Sequence, residues 1–481
     1  MKNVKLSSEE NVSVNLREPT LFQVKQAGFA MACLDEIQKL VSKNGVKYLT
    51  LSIVDINGVL RGKRLPVDQL NKIIKDGARM PFSAANVDIW GRDIDGSPLV
   101  FESGDEDGKC IWTARKPMLM NWIEPSNILI PMSYFNEDGS PYLGDSRNVL
   151  VDILQKYKAK KLTPVLGIEL EFYLTNPKTP DEALTNPLNG AEKVHDGVLS
   201  IDDIYDYSKF LDEICDCCEI NDIALEAISS ESGRGQFELC LKHTDDVLKL
   251  ADGLIFLKNI IRFISRKNGF AATFMAKPFP HRPGNGLHVH FSLLDQNKNN
   301  VFDNGTSKGS DEMLTSVGGL IAHMRQSTLI FAPHLNSFRR LSPNQHAPIN
   351  VTWGYENRTA AIRIPGGKQS NRRIEHRVAG ADTNIYLVVA AILGAALDGL
   401  KNCTEAPKPV SGDCSDDTIK KEIALPATWF DAISYFEDGD LIGGTINSAI
   451  RDMMIRTKKQ ELLTFTHDIS SFEYKSYLET V

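Results

Sequence analysis

Two pairs of side chains stand at a spacing of two: Glu169 and Glu171 in VLGIELEFY, and His288 and His290 in GLHVHFSL. Successive side chains of a β-strand alternate between faces, so each pair would share one face while the apolar residues between them enter a core. Two neighbouring carboxylates repel unless a cation or a proton lies between them. Imidazole ligates metals or hydrogen-bonds phosphate. Each pair alone also has a plain reading: a solvent-facing strand edge for the glutamates, satisfied structural histidines for the imidazoles.

Three further runs carry similar chemistry. In EAISSESGRGQFE, the carboxylates Glu226, Glu231 and Glu238 bracket a turn whose Gly233 and Gly235 let a backbone approach a ligand closely. In NRRIEHR, Arg373, Glu375 and Arg377 alternate along one strand face, as a metal ligand flanked by anion-binding groups or as a surface salt-bridge ladder. Between Asn336 and Pro365, Arg339, Arg340, Arg358 and Arg363 fall near turn residues, where a planar guanidinium suits phosphates and carboxylates. Any one of these could be a solvated surface arginine. Together, the carboxylates, imidazoles and arginines point to a Mg²⁺ or Mn²⁺ site that handles phosphate. No G-x-x-x-x-G-K-[ST] loop is present, so a nucleotide would be held by other means.

The elements that must position these groups are legible in outline. Residues 1–20 read as a polar tail, and Gln23 to Ser42 as a helix. Val46–Asp55 and Val59–Pro66 are strand-like around the turn signal Asn57-Gly58, and Cys110–Pro131 is a second strand region closing at Asn136–Gly139. A helix through Val149, Ile153 and Tyr157 starts at a cap on Asp145 or Ser146. This division gives a tail (1–20), a small β-rich domain (21–141) and a large domain (142–481) in which strands and helices alternate.

Composition narrows the function classes. The net charge of −8 and the lack of a basic cluster argue against a nucleic-acid binder. No signal peptide opens the chain, and the apolar run Ile385–Leu397 is short for a bilayer and reads as a buried helix. The eight scattered cysteines suit a reducing cytoplasm, and the Cys215, Cys217, Cys218 cluster reads as ordinary thiols on a helix.

The order GIELEF, ESGRGQFE, NGLHVHFSL, NRT–RIP and RRIEHR, with VDINGVLRGKRLP before it and LPATW and KKQELLTFTHDISSFEY after it, resembles the glutamine synthetase superfamily over residues 45–481. The resemblance implies an α+β fold: a small N-terminal β-grasp-like domain, then a large catalytic domain with an antiparallel sheet flanked by helices. It implies an ATP-dependent ligase that activates glutamate as γ-glutamyl phosphate and joins it to an amine. By position, Glu171, Glu231 and Glu238 match the ligands of one metal ion, and Glu169, His288 and Glu375 those of a second. Asn285 and Gly286 match contacts to the substrate amino acid, and Arg340 and Arg377 the arginines on its carboxylates. Glu226, His290, Ser292, Arg358, Arg363 and Arg373 match positions around the nucleotide and its γ-phosphate. A homododecamer of two hexameric rings is implied as well, and the stretch Lys401–Ile423 lacks the tyrosine that adenylylation would need.

Two departures bear on the second substrate. The family carries a glutamate in a covering loop, where this chain has His346 in PNQHAP. The family's aspartate-glycine-serine-serine motif in the small domain is missing from MPFSAANVDIWG, which leaves Asp88 as a substitute. With the Trp353–Arg358 wording WGYENR, these favour an alkylamine, diamine or polyamine, as in γ-glutamylpolyamine synthetases. Ordinary glutamine synthesis from ammonia is the alternative reading, and a non-catalytic structural or regulatory homologue is a third.

Overall fold

The computed structural model describes residues 27–182, 184–190, 197–343, 347–414 and 423–481. The expected polar tail and His346 lie outside these residues, and the first helix is described from Ala27 to Lys43 (α1).

The first sheet is built from β1 (Tyr48–Val54), β2 (Leu60–Pro66), β3 (Ala78–Pro81), β4 (Asp107–Trp112), β5 (Met118–Met120) and β6 (Asn127–Phe135). Its order is β2-β1-β6-β4-β3, with β5 also on β6, and β1 runs parallel to β6 in an otherwise antiparallel arrangement. Leu49, Leu51 and Ile53 alternate into the core. The β1–β2 turn forms where expected. Asp55 accepts from the Asn57 and Val59 N–H groups and from Arg61 Nε, and Gly58 takes φ +77°. A Cβ on Gly58 would lie 3.0 Å from the Asn384 backbone, so only glycine permits this close approach.

The second sheet holds β7 (Thr163–Thr175), β8 (Leu225–Ser230), β9 (Gln236–Thr244), β10 (Ala271–Thr273), β11 (Leu287–Leu294), β12 (Trp353–Tyr355), β13 (Ile362–Ile364) and β14 (Ile374–His376). The order is β12-β13-β14-β11-β7-β9-β8, with β10 paired to the end of β7. All pairs are antiparallel except β12–β13. Leu166, Ile168, Leu170 and Phe172 of β7 and Leu287, Val289, Phe291 and Leu293 of β11 are buried, leaving the intervening polar side chains on the other face.

Helices α2 (Ser146–Ala159), α3 (Val247–Lys267), α4 (Asp311–Phe331) and α5 (Ile385–Asn402) build the core around this sheet. Asp145 is the N-cap of α2, accepting from the Arg147 N–H at 2.8 Å. Arg147 and Asp252 form a buried two-pronged ion pair (3.0 and 3.1 Å), and the Tyr386 hydroxyl donates to the same carboxylate at 2.5 Å, tying α2, α3 and α5 together. Helix α5 runs five residues beyond the apolar stretch read from the sequence. Among the described helices it alone is long and apolar enough to cross a membrane by length and composition, but it packs against α4 and α2 in the core. Cys215, Cys217 and Cys218 sit on the helix Ser208–Ile220 as free thiols.

Near the C-terminal end, helix α6 (Ser448–His467) packs against the helix Trp429–Asp438 and binds the loops beside the first sheet. Lys458 Nζ donates to Asn57 Oδ1 at 2.5 Å and to Glu461 Oε2 at 2.9 Å, while Glu461 Oε1 accepts from the Ile89 N–H at 2.8 Å. Both charges are buried. The same helix accounts for Asp88, which is fully buried. Its carboxylate accepts from the Trp90 and Arg92 N–H groups, Arg92 Nε and Gln460 Nε2. Asp88 therefore has no carboxylate face to offer an adjacent site, contrary to the expectation from sequence.

Candidate active site

Strand register gathers the polar groups. His288 lies opposite Glu169 across β11–β7, Glu238 opposite Glu171 across β9–β7, Glu375 opposite His290 across β14–β11, and Arg363 opposite Glu375 across β13–β14. Residues that are far apart in sequence thus share one face as cross-strand neighbours.

Glu169 is the hub. Its Oε2 lies 3.0 Å from His288 Nδ1 and its Oε1 2.9 Å from His290 Nε2. Burial disfavours its charge, but the two imidazole hydrogen bonds outweigh this and hold its pKa well below the usual carboxylate range. Glu375 is gripped between Arg363 Nη1, at 3.0 Å, and Arg377 Nη1. Against burial, Arg377 and then the two histidines keep it ionised. The carboxylate between two guanidiniums is therefore real, but its partners are Arg363 and Arg377. Arg373 instead donates through Nε to His290 Nδ1 at 3.3 Å.

The remaining carboxylates have the opposite character. Glu238 is pushed up to about 8 by burial and then by Glu169, Glu171 and Glu231. Glu231 is pushed up to about 7 by burial and then Glu171, with exposed Arg358 offsetting part of it. Crowded carboxylates of this kind need a proton or a cation. Donor atoms of Glu169, His290 and Glu375 lie within 4.8 Å of one another, as do those of Glu169, Glu238 and His288. Carboxylate oxygen and imidazole nitrogen suit Mg²⁺ or Mn²⁺, so these residues fit a hard divalent cation.

The grouping differs in detail from the sets implied by resemblance. His290 joins Glu375, because both β11 histidines point to the face of Glu169 and each reaches one of its oxygens. Glu171 is in neither trio; its Oε2 accepts the Gly286 N–H at 2.7 Å. The Gly286 carbonyl in turn accepts from the Glu171 N–H at 3.1 Å. Gly286 acts through its missing side chain: a Cβ there would meet His288, Arg340 and Glu171 within 3.4 Å. Asn285 does not reach the site either. It is fully buried, its Nδ2 donates to the Met275 carbonyl at 2.9 Å, and its Oδ1 accepts from Gln236 Nε2 at 3.1 Å. Arg340 is buried beside Gly286, with Nη1 donating to the Val378 carbonyl at 2.8 Å and Nη2 to that of Arg377 at 3.3 Å.

Beyond Glu169 the face opens into a cavity of about 660 Å³, with Glu226, His290, Ser292, Asn371 and Arg373 among its lining residues. Four of the six positions expected near a nucleotide line it (Glu226, His290, Ser292 and Arg373), whereas Arg358 and Arg363 stand outside its lining. Glu356 escaped the sequence reading. It holds φ +55° and places its carboxylate 3.7 Å from Arg363. Gln236 also escaped, although its spacing of two from Glu238 put it on the same strand face. It bonds the Gly233 N–H, the Gly284 carbonyl and Asn285.

Two groups of side chains that could hold a cation lie on a largely antiparallel sheet, with guanidiniums alongside and a cavity beyond them, an arrangement suited to metal-assisted phosphate chemistry. Comparison with known proteins specifies the class. The family model described as the catalytic domain of glutamine synthetase matches residues 143–477. Gamma-glutamylputrescine synthetase PuuA of Escherichia coli (strain K12) is 32% identical over 438 residues, covering 90% of this chain and 92% of that one. Glutamate–isopropylamine ligase of Pseudomonas sp is 30% identical over 458 residues (93% and 98%), and the glutamine synthetase of Pyrococcus abyssi 30% over 438 (90% and 91%). The solved structure titled "Apo GmaS without ligand" superposes with a TM-score of 0.80 at 26% identity, covering 92% of this chain and 98% of that one. The chain belongs to the glutamine synthetase family, and it is an ATP-dependent ligase that forms carbon–nitrogen bonds.

Proposed function

We propose that this enzyme joins the γ-carboxyl of glutamate to an organic amine, a diamine, polyamine or alkylamine, through γ-glutamyl phosphate. The observation that carries the choice of amine is the fate of Asp88. It is the one acidic residue in the stretch where the resemblance expects an ammonium-binding acid, and its carboxylate is enclosed by four donors. His346 in place of a loop carboxylate supports the same reading, because a neutral imidazole accepts a proton but attracts a small cation weakly. So does the likeness to relatives named for putrescine and isopropylamine. Glutamine synthesis from ammonia is the second reading, favoured by the equally long match to glutamine synthetases.

In this reading ATP occupies the 660 Å³ cavity, with its γ-phosphate towards Arg363, Arg358 and Arg373. A solved relative titled as an ADP complex has the same fold at a TM-score of 0.80, which supports adenine-nucleotide binding by this chain. Arg340 and Arg377 hold the carboxylates of glutamate. Mg²⁺ or Mn²⁺ bound by Glu169, Glu171, Glu231, Glu238, His288 and Glu375 supplies charge neutralisation for the transferring phosphoryl group. The γ-carboxylate oxygen attacks the γ-phosphorus and ADP leaves. Arg363 neutralises charge that develops on the phosphoryl oxygens. The amine nitrogen then attacks the acyl carbon, phosphate departs, and a base takes the amine proton, a role open to His346. Two rings of six subunits, a small domain over residues 21–141 of β-grasp type and a cytoplasmic setting belong to the same reading.

The test of the intermediate is isotopic. Glutamate labelled with ¹⁸O in its γ-carboxyl should deliver one label to the released phosphate while the product gains the mass of a γ-glutamyl amide. Unlabelled phosphate would contradict the acyl-phosphate route.

A further inference from the structure

Lys258 has no part in the chemistry above, yet its ammonium is buried behind the site. It projects from α3 and donates through Nζ to the Ala381 carbonyl at 2.6 Å and the Thr383 carbonyl at 3.4 Å, with the Phe274 ring centroid 5.4 Å away. Burial, and then the charge of Arg262, draw its pKa down to about 7, with Asp382 pulling the other way. An apolar side chain of equal length would fill this space without that penalty. What the amine provides instead is two hydrogen bonds to backbone carbonyls.

It holds the turn 377–383. On one side this turn is stitched to the start of β11 and the residues just before it: the Leu287 N–H donates to the Ala379 carbonyl at 2.9 Å, and the Ala381 N–H to the Asn285 carbonyl at 3.1 Å. On the other it supplies both carbonyls that orient the Arg340 guanidinium. Asp382 also accepts from Ser337 Oγ at 2.7 Å, and Ser337 opens the short helix that carries Arg340. A shift of this turn therefore moves Arg340 and the backbone beside Gly286 together.

We propose that Lys258 is a positioning residue for glutamate, fixing the turn 377–383 and through it the guanidinium of Arg340. The inference rests on the reading that Arg340 holds a glutamate carboxylate.

The test compares Lys258→Met, Lys258→Arg and Arg340→Ala in the full-length enzyme, with Mn²⁺ and ADP present. Glutamate affinity is read by calorimetry, and KM is measured for glutamate and for ATP. Lys258→Met should weaken glutamate binding roughly tenfold while KM for ATP stays within about twofold, and Lys258→Arg should recover most of the loss. Glutamate and ATP constants that move together, or no change in a folded Lys258→Met enzyme, would overturn the inference. If Lys258→Met fails to fold, Lys258→Gln carries the same comparison, since its shorter stem still offers an N–H donor. Unchanged glutamate affinity in Arg340→Ala would instead remove the underlying reading of the glutamate site.

Discussion

Glu238 faces Glu171 directly across two antiparallel strands, so two carboxylates share one face of the catalytic sheet with nothing between their backbones but a ladder of hydrogen bonds. With Glu169 and Glu231 nearby, this makes a site whose resting charge is excessive without cations. Replacing Glu238 by Ala should abolish ligase activity and weaken Mn²⁺ binding without loss of fold. Manganese titration followed by electron paramagnetic resonance, with circular dichroism as the fold control, checks this. Unaltered Mn²⁺ stoichiometry and affinity would show that Glu238 is not a ligand.

Arg363 should matter to turnover more than to binding. It pairs with Glu375, and in the proposed mechanism it neutralises charge on the transferring phosphoryl group. Arg363→Ala is expected to lower kcat by about 10²–10³-fold with a smaller change in KM for glutamate. Steady-state kinetics decide the point, and a kcat within a few per cent of normal would exclude a role in transfer.

Asp88 marks a boundary of what the sequence could convey. The run MPFSAANVDIWG displays one acid and invites a catalytic role for it. The competing fact, that α6 returns from the end of the chain to cover that acid with Gln460, is a tertiary contact that no local pattern encodes. Asp88→Asn should therefore destabilise the fold by about 1–3 kcal/mol, through a buried acceptor network left mismatched. It should leave the ratio of kcat/KM for amine and ammonium unchanged. Thermal denaturation and the two rate constants together check this.

The strands with alternating polar and apolar residues were legible because a period of two names both the core face and the site face. Hence Glu169, His288, His290 and Glu375 share one face of the sheet, as the alternation requires. The turn at Gly58 and the cap at Asp145 were legible for the same local reason. Register was not: which histidine reaches which oxygen of Glu169, and that Glu375 is clasped by Arg363 and not by Arg373, depends on pairing between strands that bring together residues as far as 121 apart in sequence. Nor could Asn285 be placed, since its inward amide is decided by Gln236 and Met275.

The Lys458–Glu461 pair gives the fold a pH dependence. Burial alone would raise the Glu461 pKa, but Lys458 and then His334 hold it down at about 2, below the ordinary 4.5. A depressed folded pKa contributes stability that is present above the unfolded value and is lost as pH falls from there through about 2. Glu461→Gln leaves the buried Lys458 ammonium hydrogen-bonded to Asn57 but without a counter-charge, and should cost about 3 kcal/mol at neutral pH. It should also flatten the fall in stability between those pH values. Denaturant titrations at pH 7 and along the acid limb provide the check, and a variant as stable as the parent at pH 7 would refute the role of the pair.

The most direct test of the proposed activity is a comparison of kcat/KM for ammonium, methylamine, isopropylamine and putrescine, with saturating glutamate and ATP and Mg²⁺ or Mn²⁺, followed by phosphate release. At least one organic amine is predicted to exceed ammonium by roughly tenfold or more. Ammonium outrunning every amine in that panel would contradict the account and make the enzyme a glutamine synthetase in the ordinary sense.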